Sequence, residues 1–369
     1  MAAQLDRVTV AASSPYEVVV GQGLSLAELT APLRPGPGPH PAVLFTDSNV
    51  GAAHAAVERE LSAAGWRVVE VVEVLAGERS KSFDSYASAV RRLAAAGVTR
   101  DATLFALGGG VVGDLGGFVA HSYMRGLRLV QLPTSLLAMV DSSVGGKVGI
   151  DLPEGKNLVG GFLQPELVVA DTARLATLPP RQLSCGLAEV VKMGLLAGGE
   201  YYRDLALVDR ALERDPEALR RLVLHAVRFK ASVVERDERE GGLRAVLNYG
   251  HTIGHGLEAA AGYDLLHGEA ISLGMLAAAE LSFRRYGPDF HKDFREEQRS
   301  LLAAAGLPTE LPAGAIAFES ERVLAAMRRD KKRRGGEHRF VLLRGAGEPE
   351  WDVPVGEEEI REVLRGVLR

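Results

Sequence analysis

Between Ala42 and Gly117 short apolar runs alternate with helix-length stretches, and this alternation constrains the fold more than any other feature of the sequence. Ala42 to Phe45 reads as a buried strand and Gly51 to Ala64 as a helix. Trp66 to Val74 reads as a strand, Phe83 to Ala95 as an amphipathic helix, and Ala102 to Leu107 as a short apolar strand. Strands joined by helices of this length pair in parallel, with helices on both faces of the sheet. Ligands of such sheets sit beyond the carboxyl ends of the strands. Upstream, Leu5 to Val10 and Tyr16 to Val20 flank Ala12 to Pro15 and read as a hairpin.

Near Thr177-Leu-Pro-Pro180 the pattern changes. From Gln182 onward it is mostly long helical periodicity rich in Ala, Leu, Glu and Arg, with a late strand at His338 to Leu343. A boundary here gives two domains, 1–178 and 179–369, as a 369-residue chain leads one to expect. The net charge of −5, and a single basic run from Arg328 to Arg334 interrupted by Asp330, argue against a nucleic-acid partner. Cys185 is the one cysteine, so no intrachain disulfide can form and a reducing, cytoplasmic setting is expected. No apolar run reaches membrane-spanning length, and Met1 to Val10 lacks the pattern of a signal peptide.

Gly108, Gly109, Gly110, Gly113, Gly116 and Gly117 crowd into ten residues directly after a strand, with Asp114 among them. Glycine lets backbone approach a ligand closely, and the amides at a helix start hold phosphate well. The alternative is a tight strand-to-helix turn built for packing. The run is not G-x-G-x-x-G, but its density favours a nucleotide cradle. Ala76 to Lys81 follows an earlier strand at the same edge of the sheet.

Three of the nine histidines fall together, in Asn248-Tyr-Gly-His-Thr-Ile-Gly-His255 and His267-Gly-Glu269. His251 and His255 are four apart and share one helix face. Thr252 stands where a zinc protease needs its glutamate, so the H-E-x-x-H reading fails. A catalytic zinc site often takes two His and one carboxylate, and Glu189 is a candidate third ligand. Periodicity does not choose two ligands among the three histidines. Lys147 and Lys156 sit beside glycines outside any amphipathic pattern, where a solvated helix face does not explain them. Lys192, Lys230 and Arg244 are further anion-binding candidates.

Together these residues resemble 3-dehydroquinate synthase. The resemblance runs through Gly108 to Asp114, Tyr123-Met-Arg-Gly126, Pro133 to Lys147, Gly155-Lys-Asn157, Gly186 to Lys192, Arg244 to His255 and His267-Gly-Glu269. It implies an α/β N-terminal nucleotide-binding domain with a parallel sheet, an all-α C-terminal domain, and a site in the cleft between them. It implies Glu189, His251 and His267 as ligands of Zn2+ or Co2+, which leaves His255 to handle protons. NAD would lie on Asp47, Asn49, Glu78, Lys81, Gly110, Val111, Val112, Gly113, Asp114, Thr134, Ser135, Arg174, Leu175, Ala176 and Thr177, with Lys147 and Lys156 also against it.

For the substrate, 3-deoxy-D-arabino-heptulosonate 7-phosphate, the resemblance implies Arg244 and Lys230 at the carboxylate. Lys147, Asn157, Asn248, Lys331 and His255 would meet the phosphate, with Arg125 supplied by the second subunit of a homodimer. Asp141 and Lys192 would line the reacting hydroxyls; with His255, Lys230 and Asn248 they form the implied catalytic set. The implied reaction is transient oxidation by NAD, phosphate elimination, reduction and aldol closure. Met139 and Val148 stand where relatives commonly carry Gln and Thr, and Tyr249 where many carry Phe. Rival readings are a sibling sugar phosphate cyclase, a metal-dependent polyol dehydrogenase and an inactive binding protein on the same scaffold.

Overall fold

The computed structural model describes residues 5–34, 36, 38–51, 53–261, 265–287, 293–311, 319–328, 333–334 and 337–367. The chain divides into two compact units. One comprises Met1–Leu178 with Lys230–Glu235, the other Pro179–Phe229 with Arg236–Arg369.

The first unit is built on a sheet of seven strands: β1 (Leu5–Val10), β2 (Tyr16–Gly21), β3 (His40–Asp47), β4 (Trp66–Val74), β5 (Thr103–Gly108), β6 (Arg128–Pro133) and β9 (Leu167–Asp171). Between the last two, β7 (Lys147–Leu152) and β8 (Gly155–Phe162) form a separate antiparallel hairpin. The order across the large sheet is β1-β2-β9-β6-β5-β3-β4. All neighbours pair in parallel except β1, which turns back on β2 as the expected hairpin. Helices α1 (Leu26–Thr30), α2 (Ala53–Ala63), α3 (Phe83–Ala95) and α4 (Gly110–Ser122) cover the sheet.

Strand alternation sorts side chains between the two faces. Ala42 and Leu44 of β3, with Phe105 and Leu107 of β5, join Val57 and Leu61 of α2 on one side. Val43 and Phe45, with Leu104 and Ala106, join Leu93 of α3 and Leu115 of α4 on the other. Trp66 meets the Phe105 ring edge-on at 5.1 Å and donates its indole N–H to Thr30 Oγ1 at 2.9 Å, so its polar edge is satisfied inside the core.

After β3 the chain passes outward to β4, then returns to β5 on the other side of β3. This reversal is where an open parallel sheet leaves a crevice beyond its strand ends. Asp47 ends β3 there and Gly108 ends β5.

The second unit is mainly helical, with α5 (Pro180–Ala197), α6 (Gly199–Arg203), α7 (Val208–Leu212) and α8 (Pro216–Arg236), whose last turns fall in the first unit. There follow α9 (His251–Ala260), α10 (His267–Tyr286), α11 (Phe294–Ala304), α12 (Ser320–Met327) and α13 (Glu357–Val367). The expectation of an all-α half needs one refinement. β10 (Arg333–Arg334), β11 (Glu337–Leu343) and β12 (Pro349–Val355) form a small antiparallel sheet that packs on α10 and includes the expected late strand.

Helix α5 is the axis of this unit, with every residue from Leu183 to Leu196 buried. Proline at its first position suits a helix start. α10 packs on both α5 and α9. At the α9 seam, a Cβ on Gly274 would meet Gly254 N at 2.8 Å, so the two backbones nearly touch. Among the described residues no helix is long and apolar enough to cross a membrane.

Candidate active site

The candidate side chains fall into two groups, one in each unit. In the first unit, Asp47, Asn49, Glu78, Lys81, Gly110 to Asp114, Thr134, Ser135 and Arg174 to Thr177 all follow the carboxyl ends of parallel strands. Helix α4 starts at Gly110 behind Gly109, and no side chain caps its first amides. A Cβ on Gly110 would lie 3.1 Å from the Ser142 hydroxyl, so bare backbone keeps this turn open. The other glycines serve packing instead. A Cβ on Gly116 would strike the Phe45 ring at 3.0 Å, and Gly117 seats Val148. The packing reading therefore holds for Gly116 and Gly117, while Gly110 remains a candidate for the nucleotide cradle.

Lys81 is buried among acids and amides. Its ammonium donates to Asp114 Oδ2 at 2.9 Å and to Asn157 Oδ1 at 2.6 Å, with Glu78 Oε1 at 3.4 Å and Asp151 Oδ1 at 3.7 Å. Burial alone would lower the Lys81 pKa, but Asp114 and Glu78 outweigh it and raise it. Burial raises the Asp114 carboxyl against the pull of Lys81. Asn157, a candidate for the substrate phosphate, therefore lies against the nucleotide candidates. Its backbone lies in the left-handed region at φ 55°, and its amide donates to Asp151 Oδ1 at 2.7 Å. Asp151 was not among the sequence candidates. Lys156 approaches Glu78 at 3.8 Å, and Lys147 is exposed at the start of β7.

Asp141 sits in a π-helical turn, Ala138–Ser142, a widening common at functional positions. Lys230 donates to its backbone oxygen at 2.5 Å and also to its carboxylate Oδ1. Met139 and Val148 are buried, so these two apolar replacements fill the core. Arg125 stands apart. It is exposed in the turn before β6, at the amino-terminal edge of the sheet.

In the second unit α5, α9 and α10 bring Glu189, His251 and His267 together, with one ligand atom from each lying within 4.8 Å of the others. Glu189 is fully buried, and His251 Nε2 and His267 Nε2 each stand 3.7 Å from its Oε1. The opposite ring nitrogens face acceptors. His251 Nδ1 lies 3.1 Å from the Tyr249 carbonyl oxygen, and His267 Nδ1 lies 3.4 Å from Glu258 Oε2. A proton on each Nδ1 leaves the Nε2 lone pairs facing Glu189, the tautomer a metal ligand needs. Burial alone would lower the His267 pKa, but Glu189 and Glu258 overcome it and push it up to about 9.

Glu258 was missed from the sequence, although it lies seven residues beyond His251 on the same helix face. His255 lies beside the group, its ring 5.2 Å from that of His251 and 6.1 Å from that of His267. Lys192, one turn after Glu189, is buried and pairs with its Oε2. Arg244 is buried and donates to the Glu238 carbonyl at 2.6 Å, and Asn248 ends the same 3-10 turn. Lys331 lies outside the described residues.

The triad fits a divalent cation by its donor chemistry: one buried carboxylate and two oriented imidazoles. A second acidic group, Glu200, Asp204 and His225, does not. The Arg221 guanidinium already donates to Asp204 and lies 3.6 Å from Glu200, so a fixed cation fills that place. Cys185, one turn before Glu189 on α5, is buried. Burial pushes its thiol up to about 11, although the Gly268 and Glu269 amides pull the other way.

Comparison by sequence with known proteins points to one family. A family model described as 3-dehydroquinate synthase N-terminal matches residues 71–185, and one described as 3-dehydroquinate synthase C-terminal matches residues 186–333. The chain is 45% identical to the 3-dehydroquinate synthase of Xylella fastidiosa (strain M12) over 371 residues, covering 98% of each chain. Among solved structures it is similar to 2-deoxy-scyllo-inosose synthase complexed with carbaglucose-6-phosphate, NAD+ and Co2+. There the TM-score is 0.88 at 26% identity, over 99% of this chain and 100% of that one. It is also similar to the 2-epi-5-epi-valiolone synthase of Streptomyces hygroscopicus subsp. jinggangensis 5008 with NAD+ and Zn2+ bound, with a TM-score of 0.83 at 26% identity over 98% and 99% of the two chains.

Proposed function

This chain belongs to the 3-dehydroquinate synthase family, and from that premise we propose that it converts 3-deoxy-D-arabino-heptulosonate 7-phosphate to 3-dehydroquinate and inorganic phosphate. The observation that carries the proposal is the convergence of Glu189, His251 and His267, with Lys192 and His255 beside them.

Zn2+ or Co2+ on the triad would polarise two substrate hydroxyls and ease loss of their protons. NAD on the strand ends of the first unit would take a hydride from the substrate and return it, so no cofactor is consumed. The uncapped amides of α4 suit its pyrophosphate. Lys81 and Asp114, with Asp47 and Asn49 at a neighbouring strand end, would line the rest of the nucleotide.

The chain's own groups supply binding and proton handling. The Arg244 guanidinium, with Lys230, meets the substrate carboxylate; a planar fork suits a carboxylate. Lys147, Asn157, Asn248, His255 and Lys331 meet the phosphate. Lys230 fixes Asp141 through two hydrogen bonds, so that carboxylate can orient a substrate hydroxyl. His255 holds or releases a proton at the ring-closing end. Loss of a proton from the carbon beside the oxidised one forms a carbon–carbon double bond as phosphate leaves with the C–O electrons, and once the carbonyl is reduced again the product closes by an intramolecular aldol step.

The enzyme is proposed to work in the cytoplasm as a homodimer. The exposed place of Arg125, at the opposite sheet edge from the other candidates, supports its use in a partner copy's site.

Phosphate release from the heptulosonate phosphate, followed with NAD and Zn2+ or Co2+ present, tests the proposal. Release should require both and should leave no net NADH. Chelation should abolish it, and Glu189→Gln should reduce it at least 100-fold. Net accumulation of NADH, or turnover indifferent to both chelation and Glu189→Gln, would refute it.

A further inference from the structure

Resting on the reading of Glu189, His251 and His267 as an ion-binding triad, we propose that Gly268 is a positioning residue. Its backbone contact with α5 sets the separation of His267 from Glu189. Gly268 follows His267 in the first turn of α10. A Cβ there would lie 2.5 Å from Cys185 Cα and 2.7 Å from Cys185 C, with the Cys185 carbonyl oxygen nearer still. These are backbone atoms of α5 and cannot rotate aside. Cys185 lies one turn before Glu189 on that helix. Its φ is not left-handed, so Gly268 is not needed for an unusual backbone conformation. Glycine is also a poor helix former, which leaves the close approach as its reason for being there.

The next residue locks the contact. Glu269 accepts from Arg181 Nε at 2.6 Å and Nη2 at 2.7 Å, tying the first turn of α10 to the first turn of α5. It also accepts from Leu266 N at 2.9 Å, which caps α10.

The distances show how little slack exists. Ligand bonds of about 2.0–2.2 Å put two donor atoms on one tetrahedral ion about 3.3–3.6 Å apart. His267 Nε2 and Glu189 Oε1 are 3.7 Å apart. A methyl group at position 268 needs about 3.5 Å from backbone carbon, so α10 would have to retreat by about 1 Å. His267 would then be out of reach of an ion that Glu189 holds.

The test uses the full-length protein stripped of metal, as wild type, Gly268→Ala, Arg181→Ala and Gly194→Ala. Gly194 is also on α5, but the atoms nearest a Cβ there belong to the Leu205 side chain, at 2.7 Å, which can shift. Zn2+ affinity is measured by competition with a chromophoric chelator, Co2+ coordination by its absorption spectrum, and folding by the melting temperature without metal. Gly268→Ala should lose about 30-fold or more in Zn2+ affinity and change the Co2+ spectrum, in the range seen when groups that orient ligands are removed. Arg181→Ala should lose several-fold. Gly194→Ala should lower the melting temperature and keep wild-type affinity and spectrum. Should Gly268→Ala not fold, Arg181→Ala decides, since the Arg181 side chain is 58% exposed and dispensable to the core. Wild-type affinity and an unchanged Co2+ spectrum in the deciding variant would overturn the role of Gly268. A wild type that binds neither ion would overturn the triad reading as well.

Discussion

His267 presents its Nδ1 to Glu258 Oε2 at 3.4 Å, and Glu258 is itself buried. The pair fixes which ring nitrogen carries the proton and so which one faces Glu189.

Glu258→Gln keeps an acceptor and removes the charge. Zn2+ affinity should fall about 10- to 100-fold, the usual cost of losing a group that orients a metal-bound histidine. A competition titration checks this, and an unchanged affinity would show that Glu258 serves packing alone.

Lys81→Met should destabilise the first unit by about 3 kcal/mol, because it leaves the Asp114, Glu78 and Asp151 carboxylates facing one another without their cation. The pH dependence has a definite sign. Asp114 already has a raised pKa, and losing Lys81 raises it further. A carboxyl whose folded pKa is raised contributes its stability below the unfolded pKa and loses it as pH rises through the folded value. Thermal unfolding of Lys81→Met should therefore move to higher temperature, relative to wild type, as pH falls from neutrality toward the ordinary carboxylate range. A parallel pair of pH profiles would count against the charge argument. Since these groups are also nucleotide candidates, the KM for NAD should rise.

Tyr249 donates its buried hydroxyl to Gln298 Oε1 at 2.7 Å, and both residues are fully buried. That partner gives a physical reason for a tyrosine rather than a phenylalanine here. Tyr249→Phe strands a buried amide and should cost about 1–3 kcal/mol. Tyr249→Phe with Gln298→Leu removes both partners and should recover most of the loss. Chemical denaturation of the two variants separates these outcomes.

The Cys185 thiol, pushed up to about 11, should resist a disulfide reagent at pH 8 and react fully once the chain unfolds in urea. With an ordinary value near 9.0 in the unfolded chain, its contribution to stability is whole below pH 9 and fades as pH rises through 11. Fast labelling of folded protein at pH 8 would contradict the burial.

The sheet was legible because local pattern carries it. Trp66–Val74 and Phe83–Ala95 fall where the periodicity puts them, since each alternation answers to a face that must be buried. The histidine window was legible as a cluster, but the choice among His251, His255 and His267 came only through resemblance. The reason is geometric: the deciding partner, Glu189, lies far away in sequence on another helix. Gly268 and Gly274 were illegible because a glycine's purpose is the atom it lets approach, and that atom belongs to another segment. Asn157 shows the same limit, for its amide is claimed by Lys81 from a distant loop.

The proposed ion's three ligands come from three helices, and the one that carries Glu189 lies far along the chain from the two that carry the histidines. An unfolded chain cannot gather them, so only the folded form gains from the ion, and the gain grows with its free concentration. Scarcity of the ion would thus thin the population of folded molecules as well as silence them, and abundance of this protein would follow the cell's supply of that nutrient.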